Sequence, residues 1–91
     1  MSELTLESSL RLHPRVSVRP EPFGALLYHF GTRQLSFLKS PQLLAVVEAC
    51  GTEPTVADAL RVARVAESEF PLYLRALQTL RASHMLVEEA A

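Results

Sequence analysis

The chain has 91 residues, 48% of them hydrophobic, and nine Lys+Arg against ten Asp+Glu for a formal net charge of −1. This length supports one small core, which rules out most enzymes that must enclose a cofactor between domains, and the apolar content is too high for a disordered chain. The near-zero balance offers no bulk field to gather nucleic acid or an anionic membrane.

Charge is tilted along the chain. Residues 1–39 hold five basic groups against three acidic ones, and residues 40–91 hold four against seven. As a dipole this is mild, and by itself it names no anionic partner. The single cysteine, Cys50, leaves no internal disulfide framework and suits a reducing, cytoplasmic setting. Glu3 and Glu7 stand where a signal peptide needs basic residues. The longest apolar run, Leu43 to Val47, falls far short of the roughly 20 residues of a membrane span.

Residues 1–9 show no hydrophobic period and are expected to be a loose lead-in to a single domain spanning 1–91. Pro14, Pro20 and Pro22 divide the next stretch into extended pieces, because proline and the residue before it both disfavour helix. Arg15-Val16-Ser17-Val18-Arg19 alternates polar and apolar, which predicts a strand over about 11–19 with a break or bulge at Pro14.

Gly24 to Leu38 reads as a hairpin about Gly31-Thr32, with glycine at the first loop position suiting a type II′ turn. A two-residue loop pairs Phe30 with Arg33, Tyr28 with Leu35 and Leu26 with Phe37. Apolar and aromatic side chains then share one face, while Ala25, Leu27, His29, Gln34, Ser36 and Leu38 share a more mixed one. In such a hairpin Phe30 and Arg33 form a hydrogen-bonded pair. Alternation directs the N–H and C=O of Arg33, Leu35 and Phe37 inward, and those of Gln34, Ser36 and Leu38 outward to an open edge.

The second half is helical. Ser40-Pro41 supplies an N-cap and a first-turn proline, and Leu43, Leu44, Val46, Val47 and Cys50 form a stripe stopped by Gly51 in the C′ position. Thr55-Val56-Ala57-Asp58 resembles a capping box, with Val56, Ala59, Leu60 and Ala63 on one side. A third helix starts near Ser68 with Pro71 in its first turn, runs the stripe Phe70, Leu74, Leu77 and Leu80, and ends around Ala82 to His84. Met85-Leu86-Val87 reads as a short extended tail. The predicted class is α+β: a three-stranded antiparallel sheet followed by three helices.

No catalytic constellation emerges. His13, His29 and His84 are far apart with no Cys-x-x-Cys to join them, so no metal site is predicted. Cys50 ends an apolar stripe and reads as a buried filler. Glu67 and Glu69 suit a helix start, Glu88-Glu89 read as solvated, and the three glycines form no phosphate loop. Three helices beside a small sheet suggest a winged helix, and hence a DNA-binding transcriptional regulator. Yet Arg75 and Arg81 are offset by Glu67 and Glu69, and Arg61 and Arg64 face Asp58, which leaves few charges for phosphates. What remains is an interaction module, its best surface a sheet edge beside a helix where an extended peptide can add as a strand. A small structural subunit with only an oligomer interface is a third reading. Composition alone reads Leu35, Phe37, Leu74 and Leu77 as plain core.

Three blocks carry a resemblance: Arg19-Pro20-Glu21-Pro22-Phe23-Gly24-Ala25-Leu26-Leu27-Tyr28, Leu35-Ser36-Phe37-Leu38-Lys39-Ser40-Pro41, and Glu69-Phe70-Pro71 with Tyr73 and Arg75-Ala76-Leu77. Over roughly residues 10–88 the chain resembles the mycofactocin biosynthesis chaperones, a branch of the PqqD-like family of peptide-recognition domains (RiPP recognition elements). The resemblance implies three antiparallel strands and three helices in a winged-helix-like arrangement. It implies a non-catalytic peptide chaperone that binds the leader of a ribosomally made precursor peptide and presents it to a radical S-adenosylmethionine (radical SAM) maturase. No cofactor, metal, nucleic acid or membrane is implied. In such domains the leader lies along the third strand beside the third helix. The corresponding residues here are Arg33, Gln34, Leu35, Ser36, Phe37 and Leu38, with Tyr73, Leu74, Leu77, Gln78 and Arg81 opposite them.

Overall fold

The computed structural model describes residues 3–89. Four strands come first, β1 (Leu10–Leu12), β2 (Val16–Glu21), β3 (Gly24–His29) and β4 (Leu35–Leu38); then α1 (Pro41–Cys50), α2 (Val56–Val62) and α3 (Phe70–Ala82); and last β5 (Leu86–Glu88). The α+β class holds: β2, β3 and β4 form a three-stranded antiparallel sheet in sequence order, followed by three helices. Two further strands, the start of the expected 11–19 strand (β1) and the expected extended tail (β5), form a second sheet that the pattern did not show. β1 and β5 pair as a separate antiparallel ribbon, Leu10 opposite Glu88 and Leu12 opposite Leu86. The strand expected over 11–19 is therefore two strands in two sheets. The break comes at Pro14, where Val16 N–H turns back onto His13 C=O (2.9 Å).

Local chemistry explains the helices. Leu43 N–H donates to the Ser40 hydroxyl (3.0 Å) with Pro41 in the first turn, and Asp58 N–H donates to the Thr55 hydroxyl (3.2 Å), so both predicted N-caps are made. The expected left-handed stop at Gly51 is not. Gly51 is right-handed (φ −75°), while Arg64 and His84 take left-handed conformations (φ 63° and 66°) just past α2 and α3. There Val65 N–H reaches Leu60 C=O and Met85 N–H reaches Leu80 C=O (3.0 and 2.9 Å), closing both helices in Schellman fashion over buried apolar pairs.

The lead-in is not loose over its described part; residues 1 and 2 lie outside the described residues. Leu4 is buried and Leu6 packs against the core. Val56 and Ala57, at the start of α2, donate their N–H groups to Ser8 and Leu6 carbonyls (2.8 and 2.9 Å). Helix N-termini leave amides without intrahelical acceptors. The lead-in supplies two of them with irregular backbone, which has no period to read.

The core lies between one face of the sheet and the helices. Ala25, Leu27 and Leu38 from the mixed face of the hairpin are fully buried with Val46, Leu60, Leu77 and Met85. The aromatic face points away from it: Leu35 is 55% exposed and Phe37 61%. The plain core reading thus holds for Leu77, half-holds for Leu74 and fails for Leu35 and Phe37.

Hairpin register matches expectation, Leu26 opposite Phe37 and Tyr28 opposite Leu35, but the turn does not. His29 N–H donates to Gln34 C=O (3.0 Å) and Arg33 N–H to His29 C=O (2.7 Å), so the chain turns over Phe30 to Arg33 with the positive φ on Arg33 rather than Gly31. Phe30 N–H instead donates to Arg15 C=O, toward β2 (2.8 Å). A residue of a central strand directs its backbone groups to one neighbour only. Hence Leu26, Tyr28 and Phe30 serve β2, and Ala25, Leu27 and His29 serve β4. On β4 this sends the N–H and C=O of Gln34, Ser36 and Leu38 inward and those of Leu35 and Phe37 outward, the reverse of the two-residue-loop parity.

Gly24 closes the β2–β3 hairpin with φ +148°, and a Cβ there would lie 2.0 Å from the Leu38 carbonyl oxygen and 2.9 Å from the Ser40 nitrogen. Both obstacles are backbone and cannot swing aside. Gly24→Ala is expected to cost about 3 kcal/mol or more in denaturant unfolding, since strained φ and forced backbone movement add. Gly51→Ala, whose nearest obstacle is 3.5 Å away, should change stability by less than about 1 kcal/mol. Equal effects at the two glycines would refute this account of Gly24.

Candidate functional site

The three-stranded sheet has two edges, and they differ. On β2 the outward residues are Val16, Val18 and Pro20. Val16 N–H is spent on His13, and Pro20 has no N–H, a common way to blunt an edge. On β4 the outward residues Leu35 and Phe37 each present both an N–H and a C=O. Of the two, the β4 edge is the one whose outward backbone groups are not blunted.

Beside that edge runs an apolar groove between the β4–α1 junction and α3. One end, about 230 Å³, is lined by Phe37, Leu38, Lys39, Leu43, Ala76, Thr79 and Leu80. The other, about 190 Å³, is lined by Ser40, Leu43, Leu72, Tyr73 and Ala76. Leu43 and Ala76 belong to both, so the two form one continuous trough. The small side chain of Ala76 leaves it open. Tyr73 is pinned in the wall: its hydroxyl donates to Gln42 Oε1 (2.9 Å), and Gln42 Nε2 donates to the Ala63 and Arg64 carbonyls (3.2 and 3.1 Å).

The residues expected along this site divide into four groups. Leu35, Ser36, Phe37 and Tyr73 stand at the edge or the groove; Arg33 and Gln34 belong to the hairpin turn, exposed. Leu38 lines the groove only at its base, being fully buried, and Leu77 is buried in the core. Leu74, Gln78 and Arg81 are not among the groove's lining. Gln78 Nε2 donates to Leu4 C=O (3.4 Å), and Arg81 is ion-paired with Glu88 of β5, so both serve the opposite side of α3. Helix periodicity misplaced them because it followed the core stripe. Leu72, Ala76 and Thr79 recur at i, i+4 and i+7 on the neighbouring stripe, a signal that a small residue in its middle made easy to miss. Lys39, Ser40 and Leu43 were missed too, since only the chain's turn from β4 into α1 brings them there.

Burial pushes the Cys50 thiol up to about 11, which leaves it protonated and without nucleophilic use at neutral pH. Among the described residues, no three His, Cys, Asp or Glu side chains gather as metal ligands, and no helix is long and apolar enough to cross a membrane.

An open strand edge along an apolar helix groove defines a small α+β binding module with room for an extended chain. The comparisons narrow that class. Residues 9–87 match the family model of the peptide chaperone MftB family, and the chain belongs to that family. The peptide chaperone MftB of Mycobacterium ulcerans is 59% identical over 81 residues, covering 89% of this chain and 74% of the relative. That of Mycobacterium tuberculosis is 54% identical over 86 residues, 94% of this chain and 79% of its own length. That of Mycolicibacterium smegmatis is 54% identical over 79 residues, covering 87% and 78%. The family is named for a non-catalytic role. No solved structure matches the chain.

The turn that starts β4 has a titratable hub that sequence spacing did not reveal. His29 is buried, and its ring centroid lies 4.3 Å from that of His13. Its Nδ1 accepts from Gly31 and Thr32 N–H groups (2.9 and 3.0 Å), which puts the proton on Nε2, buried and with no acceptor among the described residues. Burial first, then the positive fields of His13, His84 and Arg15, hold its pKa below the ordinary value. Folding therefore favours the neutral ring, so its stabilisation is complete above about pH 6.5 and shrinks as pH falls below that. The melting temperature should fall between about pH 6.5 and pH 5 more steeply in the native chain than in His29→Asn, which keeps an acceptor for the two amides but cannot titrate. Parallel pH profiles for the two proteins would remove His29 from this role.

Proposed function

We propose that the chain is a peptide chaperone of mycofactocin biosynthesis, a single PqqD-like, winged-helix-like recognition domain that holds the leader of the precursor peptide and presents it to a radical SAM maturase. The leader adds to β4 as a fourth strand, its alternate side chains entering the groove beside α3. The observation that carries this reading is the unblunted β4 edge, with the outward backbone groups of Leu35 and Phe37 next to the trough through Leu43 and Ala76. Main-chain bonds supply affinity without demanding a sequence, and the apolar trough supplies selectivity at every second residue. Family membership supports the same reading: the relatives carry the name of peptide chaperones. The binding residues of this proposal are Leu35, Ser36, Phe37 and Lys39 on the strand side, with Leu43, Tyr73, Ala76 and Thr79 across the groove.

Backbone parity makes the test sharp. Leu35→Pro removes an outward N–H at the first residue of an edge strand, where proline is tolerated. It should stay folded by circular dichroism and bind a labelled leader about tenfold more weakly than Leu35→Ala, the equivalent of about 1.4 kcal/mol. Ser36→Pro removes an inward bond to β3 and should disrupt the hairpin. Ala76→Phe, which fills the trough, should stay folded and also weaken binding. A folded Leu35→Pro with the affinity of Leu35→Ala would sink strand addition at β4.

A further inference from the structure

The sheet face turned away from the core is assigned nothing by the groove reading. Register puts Leu26 and Tyr28 of β3 on it with Leu35 and Phe37 of β4, and Phe30, at the start of the turn, packs its ring against Tyr28. Phe23, Phe30 and Phe37 are 47%, 56% and 61% exposed, and Tyr28 stacks edge-on against Phe30 at 4.8 Å. An apolar surface held in solvent by this many aromatic rings calls for a partner. Its rim is basic. Residues 13–40, which build the sheet, carry Arg15, Arg19, Arg33 and Lys39 against Glu21 alone, whereas the rest of the chain carries nine acidic groups against five basic ones. Glu21 is itself occupied by Arg19 (3.0 Å). The weak dipole read along the chain is thus a stronger asymmetry in space, a +3 sheet set on a −4 body.

We infer that this outer face docks an acid-rimmed, apolar patch on a folded protein, and, resting on the proposed function, that this protein is the radical SAM maturase that takes the leader. The leader cannot cover the face. As a strand beyond β4 it would sit about 10 Å from β3 and about 14 Å from β2, at roughly 4.8 Å per strand. A second copy brings the same cationic rim against itself, which costs energy face to face. Single-stranded nucleic acid suits aromatic rings beside cations, but three net charges neutralise few phosphates. A maturase on this face would touch the outward side chains of the added strand as well, so leader and chaperone would be read as one surface.

The test uses the whole purified chain, a labelled leader peptide and the purified maturase. Arg15→Glu/Arg19→Glu on the β2 side and, separately, Phe30→Ser at the β3–β4 turn alter the face without removing an outward backbone group of Leu35 or Phe37, and melting curves report their folding. The expected result is leader affinity within about twofold of native and maturase affinity reduced about tenfold or more, with native maturase binding weakening as salt rises. Unchanged maturase affinity in folded variants, or no maturase binding by the native chain, overturns the face assignment. So does tight binding of an oligothymidine, or a native dimer by sedimentation, that the same substitutions abolish. Loss of the leader by the native chain overturns the proposed function instead, so the two failures are told apart.

Discussion

One hydrogen bond sets the sense of the whole sheet: Phe30 N–H to Arg15 C=O. A central strand has a single N–H and C=O per residue, and each pair can face only one side. Once Phe30 is committed to β2, every odd residue of β3 must serve β4, and β4 in turn must offer its own odd residues to solvent. The outward groups are therefore those of Leu35 and Phe37, whose side chains also stand on the outer face. The open edge and the exposed aromatic face are joined at the same two residues.

What keeps that edge in place is distributed around it. Gly24 lets the start of β3 pass within contact of the Leu38 carbonyl, and His29 folds the hairpin tip over its own Nδ1. Leu38 and Leu77 then lock β4 and α3 to a common core. The trough between them exists because Ala76 is small and because Tyr73 is held back by Gln42. Core and groove meet here without sharing many atoms: the core stripe of α3 is Phe70, Leu77 and Leu80, and the groove is lined by the stripe beside it, with Leu80 the point of overlap.

Electrostatics follow the same geography. The helical body is acidic and the sheet is basic, although the whole chain is almost neutral. A neutral total hides two opposed surfaces, and only their placement gives either one a direction. The ribbon of β1 and β5, the docked lead-in and the Arg81–Glu88 pair tie the two ends of the chain to the helical body, leaving the sheet's outer face and its β4 edge clear.

Much of this is local and was legible in the residues: the order of strands and helices, the N-caps at Ser40 and Thr55, the core stripe of α3, the hairpin register and the place of an open edge beside a helix. These depend on spacing and on cap chemistry within a few residues. Resemblance added the class of partner, which no spacing could name. Tertiary structure alone decided the rest. The loop over Phe30 to Arg33 reversed the backbone parity because Phe30 N–H was taken by a residue 15 positions earlier. The hairpin's mixed face became the core because the helices packed on it. Gln78 and Arg81 turned toward Leu4 and Glu88 because the lead-in and β5 lie there. His13 and His29 met across the hairpin despite their separation in the chain. In each case the deciding contact lies outside the residue's own element, and periodicity, which reports only on which residues share a face, does not say what that face will meet.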